Sequence, residues 1–150
     1  MVLDENFREF IRLLNAHEVK YLVVGGFAVA YHGHPRYTKD IDFWIWAEPK
    51  NAENVLAAIK DFGFGSLDLL QADFLDLDSI IQLGYEPNRI DLITSVEGLD
   101  FQSCFSQRKE ANFEGIPIHF IDLESLIISK QQAGRLKDLA DVEALTDKKP

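Results

Sequence analysis

Apolar residues recur along the chain in two patterns, at helical spacing in some segments and in short continuous runs in others. The two patterns predict a mixture of helices and strands. Helical spacing or helix signals predict helices over residues 4–17, 27–31, 51–62, 122–132 and 135–145. Short apolar or β-rich runs predict strands over residues 21–24, 41–46, 79–84, 89–96, 107–113 and 116–121, the last four as two hairpins. Residues 66–78 fit neither pattern and are expected to form a loop with a short helix. The expected fold is α+β, one domain over residues 1–150 with helices packed on a mixed sheet.

Composition narrows this picture. A length of 150 residues with 47% hydrophobic and 11% aromatic content is enough for a packed core. An acidic start, no apolar run long enough to span a bilayer and a single cysteine, Cys104, predict a cytoplasmic protein without a membrane segment. The net charge of −10 argues against bulk nucleic-acid binding and favours cationic acceptors, although acidity could equally serve solubility alone.

Two aspartates open the second predicted strand. Asp40 and Asp42 are two residues apart, so in a strand both carboxylates point to one face while Ile41 and Phe43 face the other. Carboxylates this close repel each other unless a cation lies between them, and hard oxygen ligands suit Mg²⁺ or Mn²⁺. Two solvated aspartates are the commoner meaning of such a pair, so the pair alone is weak evidence.

A third acid strengthens the metal hypothesis. Asp91 alternates with Ile90 and Leu92 in a predicted strand, where aspartate is disfavoured. If this strand lies beside the Asp40–Asp42 strand, the three carboxylates can hold two metal ions about 3.5–4 Å apart. Asp91 would then also be placed to accept the acceptor's proton as general base. Alone, it could equally be a surface residue of an edge strand.

A glycine pair precedes the first two aspartates. Gly25 and Gly26 follow the first predicted strand, and glycines allow backbone amides to approach a phosphate closely. Between the glycines and Asp40 lie Arg36 and Lys39, two cations that could steady a triphosphate. A lone glycine pair usually marks an ordinary turn. The phosphate hypothesis therefore depends on the short distance in sequence between the glycine pair and Asp40.

Together these segments resemble the signature of the nucleotidyltransferase superfamily, typified by DNA polymerase beta, the antibiotic nucleotidyltransferases and the AbiEii-type toxins. The match is closest to small bacterial members, in which a glycine pair and a short helix precede an Arg-x-Thr-x-Asp-x-Asp segment. Here that segment is residues 36–42, followed by Ile90-Asp91-Leu92, and the motifs span about half the chain.

The resemblance implies roles for matching residues. Asp40, Asp42 and Asp91 would be the catalytic and metal-binding carboxylates for two Mg²⁺ ions, with Mn²⁺ as a substitute. The nucleoside triphosphate, expected to be ATP, would contact a further set: Gly25, Gly26, Arg36, Thr38, Lys39 and Lys130. Many relatives have serine where Gly26 stands, so one hydroxyl contact is missing. Lys130 and Lys137 lie in a Lys…Arg-x-Lys-Asp pattern, and both could instead be solvated helix charges.

The function expected from this resemblance is transfer of a nucleoside monophosphate to a hydroxyl or similar group. The acceptor could be a small molecule, including a cationic antibiotic, or a protein or RNA. Because little chain follows Asp91, the acceptor site would be built from the last hairpin and helices or completed by a second copy in a homodimer. Two alternatives are a non-catalytic nucleotide- or partner-binding module, for example a toxin–antitoxin component, and an interaction domain with purely structural acids.

Overall fold

The computed structural model describes residues 3–35, 38–85 and 87–147, with Ser66 described by its backbone alone. Six helices are present in these ranges: α1 Glu5–Ala16, α2 Gly25–Tyr31, α3 Pro49–Ile59, α4 Phe101–Ser106, α5 Leu123–Ala133 and α6 Leu136–Thr146. Six strands form the sheet: β1 Tyr21–Val24, β2 Ile41–Ile45, β3 Ile80–Leu83, β4 Ile90–Ile93, β5 Lys109–Phe113 and β6 Ile116–Phe120. No helix in the described ranges is long and apolar enough to cross a membrane.

The six strands form one mixed sheet in the order β3-β4-β2-β1-β6-β5. Both predicted hairpins are present, since β3 pairs with β4 and β5 with β6 in antiparallel fashion. The β2–β4 and β1–β6 pairs are parallel, whereas β1 and β2 run antiparallel. The predicted α+β class with a mixed sheet is therefore confirmed.

The two faces of the sheet have different roles. On one face, Phe10 of α1 packs edge-on against Phe43 of β2 with ring centroids 5.5 Å apart. On the other face, Trp44 packs against Phe101 of α4. Asp42 is two residues from Trp44 in β2, so it belongs to this second face. The packed first face holds the strands rigidly, which fixes the positions of polar groups on the second.

Several predictions of local structure were incomplete. Helix α4 was missed because its six residues are too few to show a helical period, although Asp100 caps it by accepting from the Ser103 amide. The predicted helix 51–62 begins earlier, at Pro49, and changes at Lys60–Phe64 into a π-helical segment. Residues 66–78 contain part of one 3₁₀ turn, Gly65–Leu67, and all of another, Gln71–Phe74.

The last two helices are joined by a buried ion-pair network. The Lys130 ammonium on α5 lies 3.0 Å from Asp141 and 3.4 Å from Asp138, both on α6. Arg135, the residue that precedes α6, donates to Asp138 at 2.6 Å. Burial alone would raise the pKa of Asp138, but the Arg135 hydrogen bond and the Lys130 charge outweigh it and lower that pKa. In the structure, Lys130 therefore links α5 to α6.

We expect Lys130→Met to lower the free energy of unfolding by about 3 kcal/mol, because two buried carboxylates lose a shared cation. Lys137→Met is the matched control: Lys137 is exposed on α6, so its replacement should change stability by less than about 0.5 kcal/mol. Urea unfolding followed by circular dichroism measures both. Equal effects of the two substitutions would contradict the link.

Candidate active site

One open cavity of about 470 Å³ lies on the second face of the sheet. Of the nine site residues predicted from sequence, Arg36 lies outside the described residues, and the other eight all line this cavity. Two further cations border it as well. The full lining is Gly25, Gly26, Thr38, Lys39, Asp40, Asp42, Asp91, Lys130, Arg135 and Lys137. The predicted residues are thus spatial neighbours, although they come from segments more than 100 positions apart.

The register of the two central strands places two acids side by side. Strands β2 and β4 are parallel neighbours, and Asp42 is the Cα partner of Asp91. Adjacent strands are about 4.8 Å apart, so both carboxylates share one face at close range. This is the adjacency that the metal hypothesis required.

The pKa of Asp42 shows that this arrangement disfavours its charged form. Its pKa is raised to about 6, chiefly by burial and then by the charges of Asp91 and Asp40; Lys130 and Arg89 partly offset the rise. Among the described residues, none donates a hydrogen bond to the Asp42 carboxylate. A half-buried carboxylate without a donor, facing two others, fits a hard divalent cation as its partner.

Arg89 holds the other two carboxylates, and sequence reasoning did not single it out. Its side chain donates to both oxygens of Asp91, at 2.7 and 3.0 Å, and lies 3.2 Å from Asp40. The signal was present in the sequence, because Arg89 is two residues from Asp91 and so shares its face. Arg89 therefore neutralises part of the charge that β2 and β4 bring together.

Asp40 joins this cluster from the position immediately before β2, which agrees with the predicted strand 41–46. Its carboxylate also accepts from the backbone amide of Arg89 at 3.1 Å. Asp40 and Asp91 thus both turn toward Arg89. In the described ranges, no three histidine, cysteine, aspartate or glutamate side chains are arranged as a metal-binding group. Side chains would have to rearrange around Arg89 for all three carboxylates to share a cation.

Gly25 closes the cavity beside Asp42. A Cβ atom at Gly25 would lie 2.2 Å from Oδ2 of Asp42, and the glycine has a φ of +69°. Both the close approach and the left-handed conformation require glycine here. The first glycine of the pair is therefore needed for the position of Asp42, a role that the phosphate hypothesis had not included.

Cations border the cavity beside the acids. Lys39 lies between Thr38 and Asp40, while Lys130, Arg135 and Lys137 come from α5 and the start of α6. The hypothesis that Lys130 faces the nucleotide and its role as a helix link are compatible, since Lys130 both lines the cavity and contacts α6. Acids next to cations suit a ligand that carries both phosphate groups and metal ions.

In metal-free buffer at pH 7.5, we expect Asp42→Asn to raise the free energy of unfolding by about 1–3 kcal/mol. The folded-state pKa of about 6 exceeds the ordinary 3.8, so ionisation of Asp42 destabilises the fold as pH rises through this window. The gain should therefore disappear near pH 4, where the wild-type carboxyl is protonated.

Urea titrations at the two pH values, with EDTA present, measure this difference. Asp68→Asn is the control, because Asp68 is exposed and outside the cavity. A loss of stability for Asp42→Asn at pH 7.5 would contradict the repulsion described above.

A family model described as "Nucleotidyltransferase of unknown function (DUF6036)" matches residues 2–146. Among curated proteins, none matches the sequence.

Solved structures share the fold at low identity. Lincomycin-bound LnuA, a lincosamide antibiotic adenylyltransferase, is 16% identical, with a TM-score of 0.58 over 97% of this chain and 98% of that one. The antibiotic-resistance factor ANT(2″)-Ia is 13% identical, with a TM-score of 0.57 over 93% and 80%. An antigenic nucleotidyltransferase-like protein from Paracoccidioides brasiliensis is 18% identical, with a TM-score of 0.54 over 92% and 72%. By its family match, this chain is a member of the DUF6036 nucleotidyltransferase family.

Proposed function

We propose that this chain transfers a nucleoside monophosphate from a nucleoside triphosphate, expected to be ATP, to a hydroxyl group of an acceptor. The observation that carries the proposal is the convergence of the described glycine, threonine, lysine and aspartate candidates on one cavity, with Asp42 directly beside Asp91. Two Mg²⁺ ions, or Mn²⁺, would be held by Asp40, Asp42 and Asp91. When bound, these ions would offset negative charge on the reacting phosphate and the departing pyrophosphate.

In the proposed reaction, one phosphorus–oxygen bond forms and another breaks. The acceptor oxygen forms a bond to the α-phosphorus, the bond from that phosphorus to the α–β bridging oxygen breaks, and pyrophosphate leaves with the electron pair. The acceptor's proton passes to Asp91 as general base. Arg89 donates to both oxygens of Asp91, which fixes the orientation of this carboxylate. Gly25 and Gly26 leave room for the β- and γ-phosphates, and Lys39 and the cations near α6 supply positive charge.

The second candidate is a module that binds the nucleotide without turnover, for example within a toxin–antitoxin pair. One observation favours it: Arg89 forms ion pairs with both Asp40 and Asp91, which reduces their availability to metal ions. Both candidates require magnesium-dependent nucleotide binding, and transfer chemistry separates them. The burial of Asp42 next to Asp91 supports a bound cation in either candidate, so it does not separate them.

For the transferase, we expect Asp91→Asn to abolish label transfer from α-labelled ATP, by at least 100-fold, since the amide cannot accept a proton. The measurement incubates full-length protein with Mg²⁺, labelled ATP and fractionated cell extract. Asp78→Asn is the control, because Asp78 is exposed and does not line the cavity. Full activity of Asp91→Asn would remove Asp91 from the reaction; nucleotide binding without transfer by the wild type would favour the second candidate.

For the phosphate site, we expect Gly25→Ala to weaken Mg²⁺-ATP binding by at least tenfold, because the added methyl group displaces Asp42. Gly115→Ala isolates the backbone strain: Gly115 has a φ of +89°, and a Cβ there meets nothing within 4 Å. Titration calorimetry measures both affinities. If the two variants bind Mg²⁺-ATP equally, the close approach of Gly25 to Asp42 has no role in nucleotide binding.

A further inference from the structure

The row of side chains that contains the two central acids continues to the edge of the sheet. Asp91 has two Cα partners, Asp42 on β2 and Gln82 on β3. On the other side of β2, Asp42 is paired with Val24, the residue before Gly25. Paired residues share a face, so the order across the sheet is Val24, Asp42, Asp91 and Gln82, with the glycine pair directly after Val24. Gln82 is thus the next polar group beyond Asp91, on the side away from the glycines.

A second cavity, of about 340 Å³, begins where this row ends. Its lining residues come from the segment after α3, from β3 and from the turn that follows: Phe64, Leu67, Gln82, Gly84, Tyr85 and Arg89. Arg89 connects the two regions, since it lines this cavity and its side chain donates to Asp91, which lines the first. Because Gln82 also lines this cavity and is the Cα partner of Asp91, a molecule there would lie one strand away from the proposed general base.

The chemistry of this cavity differs from that of the first. Among its described lining residues, Arg89 is the only charged side chain, and it is ion-paired with Asp40 and Asp91. The remainder is two aromatic rings, a leucine, a glycine and one amide. Leu67 and Tyr85 are 45% and 91% exposed, although both are large hydrophobic side chains. Apolar walls around a few convergent polar groups are typical of small-molecule sites.

We propose that this second cavity binds the acceptor, and that the acceptor is a small uncharged compound with an apolar ring face and a hydroxyl group. The proposal rests on the proposed transferase function. The ring contacts Phe64, Leu67 and Tyr85, while the hydroxyl lies near Gln82 and points to Asp91. The negative charge of the whole chain favours cationic acceptors, but the described lining of this cavity contains no carboxylate.

The volume of the second cavity favours a small acceptor. Ligand cavities range over about 300–1,000 Å³, so 340 Å³ accommodates a compound of one or two rings. A polypeptide or RNA acceptor requires a longer surface. RNA is further disfavoured by the net charge of −10.

The first test is binding, with the ¹⁵N-labelled full chain and phenyl β-D-glucopyranoside as an uncharged probe with a ring and hydroxyl groups. We expect saturable NMR shifts at the Gln82 side-chain amide and at the Gly84 and Tyr85 backbone amides. Benzoate and phenylethylamine, which carry a ring and a charge, should bind at least fivefold more weakly. Shifts confined to other regions, or tighter binding of either charged compound, would overturn the proposal.

A matched pair of variants separates this cavity from the surrounding surface. Leu67→Ala and Leu70→Ala remove the same atoms from exposed leucines, 45% and 65% exposed, but Leu70 does not line the cavity. We expect Leu67→Ala to weaken probe binding about fivefold or more and Leu70→Ala to leave it unchanged. Equal effects would overturn the proposal.

Nucleotide measurements keep the two proposals distinguishable. Leu67→Ala should leave the affinity for Mg²⁺-ATP unchanged in titration calorimetry, while raising the KM of any acceptor identified by label transfer at least fivefold. Transfer to an acceptor whose KM is the same in Leu67→Ala and wild type overturns the acceptor site and leaves the transferase standing. Probe binding in the cavity by a chain that neither binds Mg²⁺-ATP nor transfers label overturns the transferase and, with it, the acceptor role.

Discussion

The parallel pairing of β2 with β4 is the constraint on which the site depends. Its register makes Asp42 and Asp91 direct neighbours on one face. The two carboxylates therefore stay close together whichever rotamer each side chain adopts. The hydrophobic face opposite them, including Phe43, holds the strands in this register. A one-residue slip would turn Asp42 into the core and Phe43 toward the cavity, so packing and site geometry are maintained by the same contacts.

The cost of this register falls unevenly on the acids. Arg89 contacts Asp40 and Asp91, whereas none of the described residues donates to Asp42, whose pKa is raised to about 6. Lys130 lowers that pKa from a distance, but its closest partners are the aspartates of α6. Stability alone would favour replacing Asp42 by a neutral residue. Because Asp42 lines a cavity with room for a cation, this energetic cost indicates a functional role for its carboxylate.

Hydrophobic period and turn residues predicted most elements, because both signals are contained in short segments. The residues of the cavity were named instead from the spacing of acids and glycines and, for Thr38 and Lys130, from the family resemblance. These local patterns could not predict that β2 and β4 are neighbours, since strand pairing depends on contacts between residues about 50 positions apart. The link from Lys130 to α6 had a signal, because Asp138 and Asp141 are three residues apart on one helical face. The second cavity had none: its Phe64 and Leu67 lie in π-helical and 3₁₀ turns without a sustained period.

Arg89 connects two chemically different cavities, because it lines one and donates to Asp91, which lines the other. On the glycine side, carboxylates and lysines border a polar cavity suited to phosphates with metal ions. On the Gln82 side, the described lining is mostly apolar, with one amide and Arg89 as its only charged residue. Under the proposed function, the charged nucleotide and an uncharged acceptor would occupy these two different environments. Asp91 lines the polar cavity, and Arg89, which donates to both of its oxygens, lines the other. Under the proposed function, Asp91 would accept the proton of an acceptor bound on the Gln82 side.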